Sequence, residues 1–252
     1  MGLKRRPKIS AQTLSADAYT PVYTVICYFV GGVISPLLMN LFMHYAFDKW
    51  MQRTIPSCPF ARYADDAVVH CRSRRQAEYV MRAIASRLAD CGLTMHPEKS
   101  TIVYCKDSNR RKRYPQVSFT FLGFTFRPRR AKSHQGRYFT SFLPAASEVA
   151  MRRMRQAVRG WRLTRQTHVS LAEIAKLYNP VIQGWWNYYG AFYQTAMQEI
   201  FQHIDRALGR WVRRKFKTLS GRSRRSAAWL GKMQEAYPRL FCHWYVNGLR
   251  VG

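Results

Sequence analysis

Cys58-Pro59-Phe60-Ala61-Arg62-Tyr63-Ala64-Asp65-Asp66-Ala67-Val68-Val69-His70-Cys71 is the stretch from which the rest of the chain is read. Two adjacent carboxylates stand between two short apolar runs, 58–62 and 67–71, and that pattern predicts a β-hairpin with the acids at its turn. Side chains alternate faces along a strand, so one carboxylate aims into a site and the other aims sideways or at a second ligand. Carboxylates at a strand end suit Mg²⁺, a hard cation that prefers oxygen and keeps part of its water for substrate phosphates. The plain alternative is a solvated turn, since Asp is itself a favoured turn residue.

Upstream, Ala18 to Phe47 contains no Asp, Glu, Lys or Arg and follows the basic Lys4-Arg5-Arg6-Pro7-Lys8. A charged flank before a long apolar run is a membrane signature. Gly31-Gly32, Ser35-Pro36, Asn40 and His44 interrupt the run, so a loop followed by a buried helix is the favoured alternative. Ser35 suits an N-cap and Pro36 a first helical position. Leu37, Leu38, Leu41, Phe42, Tyr45 and Phe47 would then pack at helical spacing. No stable membrane association is expected.

Downstream, Ala77, Val80, Met81, Ile84, Ala85, Leu88 and Cys91 follow helical spacing and end at Gly92. Two short strands, 93–96 and 101–104, flank His96-Pro97-Glu98-Lys99-Ser100, and a charged loop covers 106–113. Residues 119–126 read as one strand in which Gly123 marks a bulge or a close backbone approach. A basic turn, 127–132, then leads to a strand near 138–142. Helices follow. Met151, Met154, Val158 and Trp161 make one apolar stripe, and Ser170-Leu171-Ala172-Glu173 is a capping box. Asn179-Pro180 is read as capping a separate helix, 181–190. Further helices are expected from 197 to about 217 and over roughly 226–236. The fold class is α+β, divided into a non-matching leader (1–30), a mixed region (31–140) and a helical region (141–252).

The 252 residues carry 42 Lys and Arg against 13 Asp and Glu, a net charge of +29. Such a charge repels itself in isolation and points to a polyanionic partner, with nucleic acid ahead of acidic membrane. An aromatic content of 14% offers stacking surfaces. The six cysteines show no Cys-x-x-Cys pair. This excludes a zinc-ribbon pattern or a disulfide framework and indicates free thiols in a reducing, cytoplasmic setting.

Five segments, in order, resemble the group II intron reverse transcriptase/maturase family of bacteria. They are 31–40 (Gly31-Gly32-Val33-Ile34-Ser35-Pro36-Leu37-Leu38-Met39-Asn40), the 63–66 hairpin, Gly92-Leu93 to Ser100, Phe121-Leu122-Gly123-Phe124, and 179–190. The resemblance spans the family's C-terminal two-thirds: part of the palm, then the thumb and maturase region. It implies a partial reverse-transcriptase palm followed by an all-helical thumb/maturase region. It also implies RNA-directed DNA polymerase and intron-splicing activities, with structured intron RNA, a DNA target and dNTPs as partners.

By the same resemblance Asp65 and Asp66 hold Mg²⁺ in a two-metal palm site, Asp65 as the direct ligand and Asp66 as a weaker one. Lys99 corresponds to a lysine near the triphosphate; a solvated turn lysine is the alternative. Tyr63 would lie under the primer end or pack in the core. Gly31, Gly32, Ser35 and Pro36 correspond to the loop touching template and nucleotide. Phe121, Leu122 and Gly123 correspond to a primer grip, though apolar strand residues are more often core. Arg129, Arg130, Arg152, Arg153, Arg213, Arg214 and Lys215 are expected to contact RNA phosphates, while Trp185, Trp186, Tyr188 and Tyr189 are read as core before base platforms.

One departure stands out. The family's site takes a third carboxylate from a strand upstream of the Gly-Gly loop, and Asp17 is the sole acid among the first thirty residues here. The chain is therefore expected to be a truncated enzyme, or an inactive RNA-binding maturase-like protein, unless a complementing polypeptide or dimer supplies the acid.

Overall fold

The computed structural model describes residues 23–30, 36–110, 112–133 and 135–248. Gly31, Gly32 and Ser35 lie outside the described residues, as does Ser35's expected capping role. Two compact units divide between Ser118 and Phe119.

The first unit is built on an antiparallel sheet. Its strands are β1 (Tyr23–Val30), β2 (Phe60–Tyr63), β3 (Asp66–Cys71), β4 (Thr94–Met95) and β5 (Thr101–Tyr104). The order is β2-β3-β1-β4, with β5 also paired to β1. Residues 23–30, set apart from the mixed region by sequence, thus form the strand between the acid-bearing hairpin and the two strands that flank Lys99. The expected boundary at residue 30 cuts through this sheet. Val, Ile, Tyr and Thr dominate β1, and such side chains fit a pleated, half-buried surface.

Helix α1 (Pro36–Met43), a π-helical segment (His44–Lys49) and α2 (Trp50–Thr54) run on without a break. The row Met43, Phe47, Met51 is fully buried. Pro36 opens the helix as expected. The apolar face expected to pack is instead mostly outward: Leu37 is 76% exposed and Tyr45 64%, with Leu38, Leu41 and Phe42 also exposed. The helix carries apolar residues on more than one face, and only the side facing the sheet is covered. Helix α3 (Arg74–Asp90) starts at Ser73, whose Oγ accepts the Gln76 N–H at 3.1 Å, and it buries Ala77, Val80, Ile84 and Leu88. No helix among the described residues is long and apolar enough to cross a membrane.

The second unit begins with a three-stranded meander, β6 (Phe119–Phe121), β7 (Phe124–Lys132) and β8 (Tyr138–Ala146). Here the structure corrects two expectations. The run 119–126 is not one strand, because Leu122 (φ 50°) and Gly123 (φ 78°) form a two-residue hairpin turn between the paired Phe121 and Phe124. Of the two readings of Gly123 the bulge fails and the close approach holds, a Cβ there meeting Tyr189 Oη at 3.0 Å. Two successive positive φ angles match the right-handed twist of the flanking strands. The basic run 127–132 is strand, paired through Lys132 with Tyr138. The meander groups with the helices because Phe124 packs on Tyr188, Tyr189 and Phe192, so the division falls at 118 rather than 140.

The helices are α4 (Glu148–Gly160), α5 (Leu171–Tyr189), α6 (Thr195–Lys215), α7 (Ser223–Ala236) and α8 (Cys242–Gly248). The capping box at α5 is present: Ser170 Oγ accepts from Glu173 N and Glu173 Oε2 accepts from Ser170 N. Asn179-Pro180 does not separate two helices; α5 runs through Pro180. The Asn179 amide is instead turned to α8's start, donating to Leu240 O at 2.8 Å and accepting from Cys242 N at 3.1 Å. A core of Met151, Met154, Val158, Ile182, Phe201, Trp211 and Trp244 joins the helices.

Candidate functional site

The acid-bearing turn is Ala64-Asp65, closed by the pair Tyr63 and Asp66. Ala64 adopts φ 54°, a left-handed conformation that costs a residue with a Cβ about 1–2 kcal/mol. Arg62 braces it. Its guanidinium grips the Asp48 carboxylate with two bonds (2.8 and 2.7 Å) and donates at 2.7 Å to the Ala64 carbonyl and at 3.1 Å to Asn40 Oδ1. The Arg62 side chain is 10% exposed and that of Asp48 17%, so a nearly buried bidentate pair fixes the turn to the π-helical segment. Sequence reasoning missed Arg62. The available signal was that Asp48 is the only acid between Asp17 and Asp65.

Asp65 is exposed, and Asp66, first residue of β3, is half-buried. The two acids thus meet different surroundings, as alternation requires. Burial pushes the Asp66 carboxyl above its ordinary value, the neighbouring Asp65 charge adds to this, and Lys99 opposes it. The fold therefore brings Lys99, exposed on the β4–β5 loop, near Asp66. Tyr63 is 64% exposed and does not pack in the core.

On its other side Asp66 is the register partner of Tyr28, and β1 (Tyr-Thr-Val-Ile-Cys-Tyr-Phe-Val) contains no acid. Among the described residues no group of three or more His, Cys, Asp or Glu gathers where it could hold a metal. Among the described residues, two carboxylates beside a lysine leave the charge of two divalent cations under-compensated.

In the second unit, Phe121-Leu122-Gly123 sits against the end of α5. Tyr188 Oη donates to Leu122 O at 2.9 Å, and a Cβ at Gly123 would come within 3.0 Å of Tyr189 Oη. Trp185 stacks on Trp161 and Trp186 tilts against Phe201, which places both in packing roles. Tyr188 remains 49% exposed.

The expected RNA-contact residues divide. Arg152, Arg153, Arg130 and Arg214 are exposed, Arg130 lying 3.8 Å over the Tyr138 ring. Arg129 faces inward, donating to Leu143 O and Thr125 O, and burial lowers its pKa. Arg213 donates to the buried Ser226 Oγ at 3.1 Å, and Lys215 donates to the Thr167 and Val169 carbonyls. Arg213 and Lys215, both half-buried, thus make bonds within the fold, while Arg214 is exposed. Consecutive cations on a helix point to different faces and need not share an environment.

Two further groups escaped sequence reasoning. Asp205 Oδ1 holds both His243 Nε2 (3.0 Å) and Trp244 Nε1 (2.9 Å), which anchors α8 to α6. On the same helix, the buried Nε2 of His203 has no hydrogen-bond partner.

No curated protein matches the chain. Family comparison matches residues 10–126 to "Reverse transcriptase (RNA-dependent DNA polymerase)" and residues 151–229 to "Group II intron, maturase-specific domain". The first match begins at residue 10, ahead of β1, so it takes in much of the segment read as a non-matching leader. Reverse transcriptases typically use Mg²⁺, and a maturase-specific domain implies binding of intron RNA. With a reverse-transcriptase domain followed by a maturase-specific domain, the chain belongs to the group II intron reverse transcriptase/maturase family.

Proposed function

We propose that this chain acts as a maturase-like binder of structured intron RNA and that, alone, it does not polymerise. The observation that supports the reading is that the strand paired with Asp66, Tyr23–Val30, contains no acid, Tyr28 being the register partner of Asp66. With Asp65 and Asp66 as the only acids at the turn and Lys99 drawing on Asp66, the site would hold Mg²⁺ weakly. Asp65, exposed, is the better placed ligand. The acid turn then serves as scaffold, and the exposed arginines of the helical unit supply the binding energy through counterion release.

A second reading, RNA-directed DNA polymerisation, is favoured by Lys99 beside Asp66, the pairing of groups needed near a triphosphate. It requires an added carboxylate from a complementing polypeptide or a second copy, with dNTPs and a DNA target as further partners. Tyr63, Leu122 and Gly123 would then serve primer and template. Primer extension separates the two. The chain alone, given Mg²⁺, dNTPs and a primed RNA template, is expected to leave primer unextended while retarding structured RNA in a binding assay. Extension that disappears in Asp65→Ala would establish the second reading.

A further inference from the structure

Helices α4 and α6 pack together, and Arg155 links them through Glu199 on α6 and Glu148 on its own helix. Arg155 is thereby neutralised. Its neighbours are not: Arg159 on α4 and Arg206 and Arg210 on α6 are exposed, with no carboxylate in ion-pair range among the described residues. All four arginines lie near enough to His203 to act on its charge. The Nε2 of His203, buried and without a partner, points to an acceptor or donor that the chain itself does not provide.

We propose that Arg159, Arg206 and Arg210, with His203 between them, form a phosphodiester-binding site that seats one strand of structured RNA across α4 and α6. The inference rests on the RNA-binding reading above and locates it. Guanidinium forks match phosphate oxygens in pairs, which an ammonium cannot do. Three forks without a carboxylate partner among the described residues, on two adjacent helices, exceed what one small anion can use. All of them lie within the maturase-specific match. His203 adds a sensor. Burial and the four arginines hold its pKa below the ordinary value; Glu199 and Glu148 are engaged by Arg155, and Asp205, two residues on, by His243 and Trp244. A phosphate seated among the arginines offsets them, so the His203 pKa rises on binding.

The full chain is titrated with structured RNA at increasing salt, alongside two variants of equal charge. Arg159→Gln/Arg206→Gln/Arg210→Gln is expected to flatten the log–log salt slope by about two to three units, at roughly 0.7–0.9 per phosphate contact. Arg53→Gln/Arg75→Gln/Arg82→Gln, which removes three exposed arginines from the other unit, is expected to change it by less than about one unit, the share of a single contact. Histidine NMR should show the His203 pKa moving up with RNA and not with inorganic phosphate or a nucleoside triphosphate at equal phosphate concentration. Equal slopes in the two variants would mean a diffuse charge effect and overturn the site. An equal response to small anions would overturn the RNA assignment. Wild-type protein that ignores structured RNA would refute the RNA-binding reading itself and this site with it.

Discussion

Arg62 shows how one side chain sets a site it does not belong to. It connects Asn40, Asp48 and the strained Ala64 carbonyl, and among the described residues Asp48, which also meets His44 Nδ1 at 3.4 Å, is the one carboxylate paired with it. Breaking a nearly buried pair leaves an uncompensated charge, so Arg62→Ala should cost about 3–5 kcal/mol in chemical denaturation of the first unit. A cost below about 1 kcal/mol would reduce the clamp to an ordinary surface pair. Asp66 offers a pH test. Its folded pKa is raised above the ordinary 3.8, so its contribution to stability is full below that value and is lost as pH rises through the raised one. Asp66→Asn should therefore melt higher than wild type at pH 7, and the gap should close below about pH 4 as wild type becomes protonated. A lower melting point at pH 7 would mean that Lys99 outweighs burial. At this scale the acid-bearing turn itself was legible because turn chemistry is local. Arg62 was not, because its meaning depends on a helix 14 residues away in sequence.

The elements were legible in kind and less so in their limits. Helices α3 and α4 follow their apolar spacing, and the capping box at Ser170 fixed the start of α5. Pro180 misled because proline usually interrupts a helix. Here the helix continues, and Asn179 is used across the fold instead of along the chain. Two substitutions separate those roles. Asn179→Ala strips bonds from Leu240 O and Cys242 N and should destabilise by about 1–3 kcal/mol, with early exchange of amides in α8. Pro180→Ala, at an exposed position inside the helix, should be neutral or stabilising. The reverse ranking would restore two helices. Gly123 was similarly ambiguous: only the pairing of Phe119–Phe121 with Phe124–Phe126 shows that the strand reverses there. Gly123→Ala adds left-handed strain and a 3.0 Å encounter with Tyr189 Oη, so a loss of about 1–2 kcal/mol is expected in thermal unfolding.

At the scale of the whole molecule, a charge of +29 announces the partner but not the surface. Sequence clustering pointed to 213–215, where two of the three cations are half-buried and bonded to the chain itself. The exposed arginines that remain together come from segments about fifty residues apart, a juxtaposition that α4–α6 packing alone creates. The first strand was illegible for a different reason: an uncharged run reads alike as membrane span, buried strand or leader until its neighbours are known.

That strand also limits how the acid site could ever be completed. β1 takes hydrogen bonds from β3 on one edge and from β4 and β5 on the other, so the slot alongside Asp66 is already filled. A donated strand from another chain has no vacant edge there, and rescue in trans would require β1 to leave the sheet. Repair from within is simpler. Directly opposed residues place their Cβ atoms about 4.5–5.5 Å apart on one face, so Tyr28→Asp would set a carboxylate beside Asp66 without moving the backbone. The substitution should tighten Mg²⁺ binding measured by calorimetry at the cost of some stability in its absence. Unchanged Mg²⁺ affinity would mean that the acid turn has lost more than one missing charge.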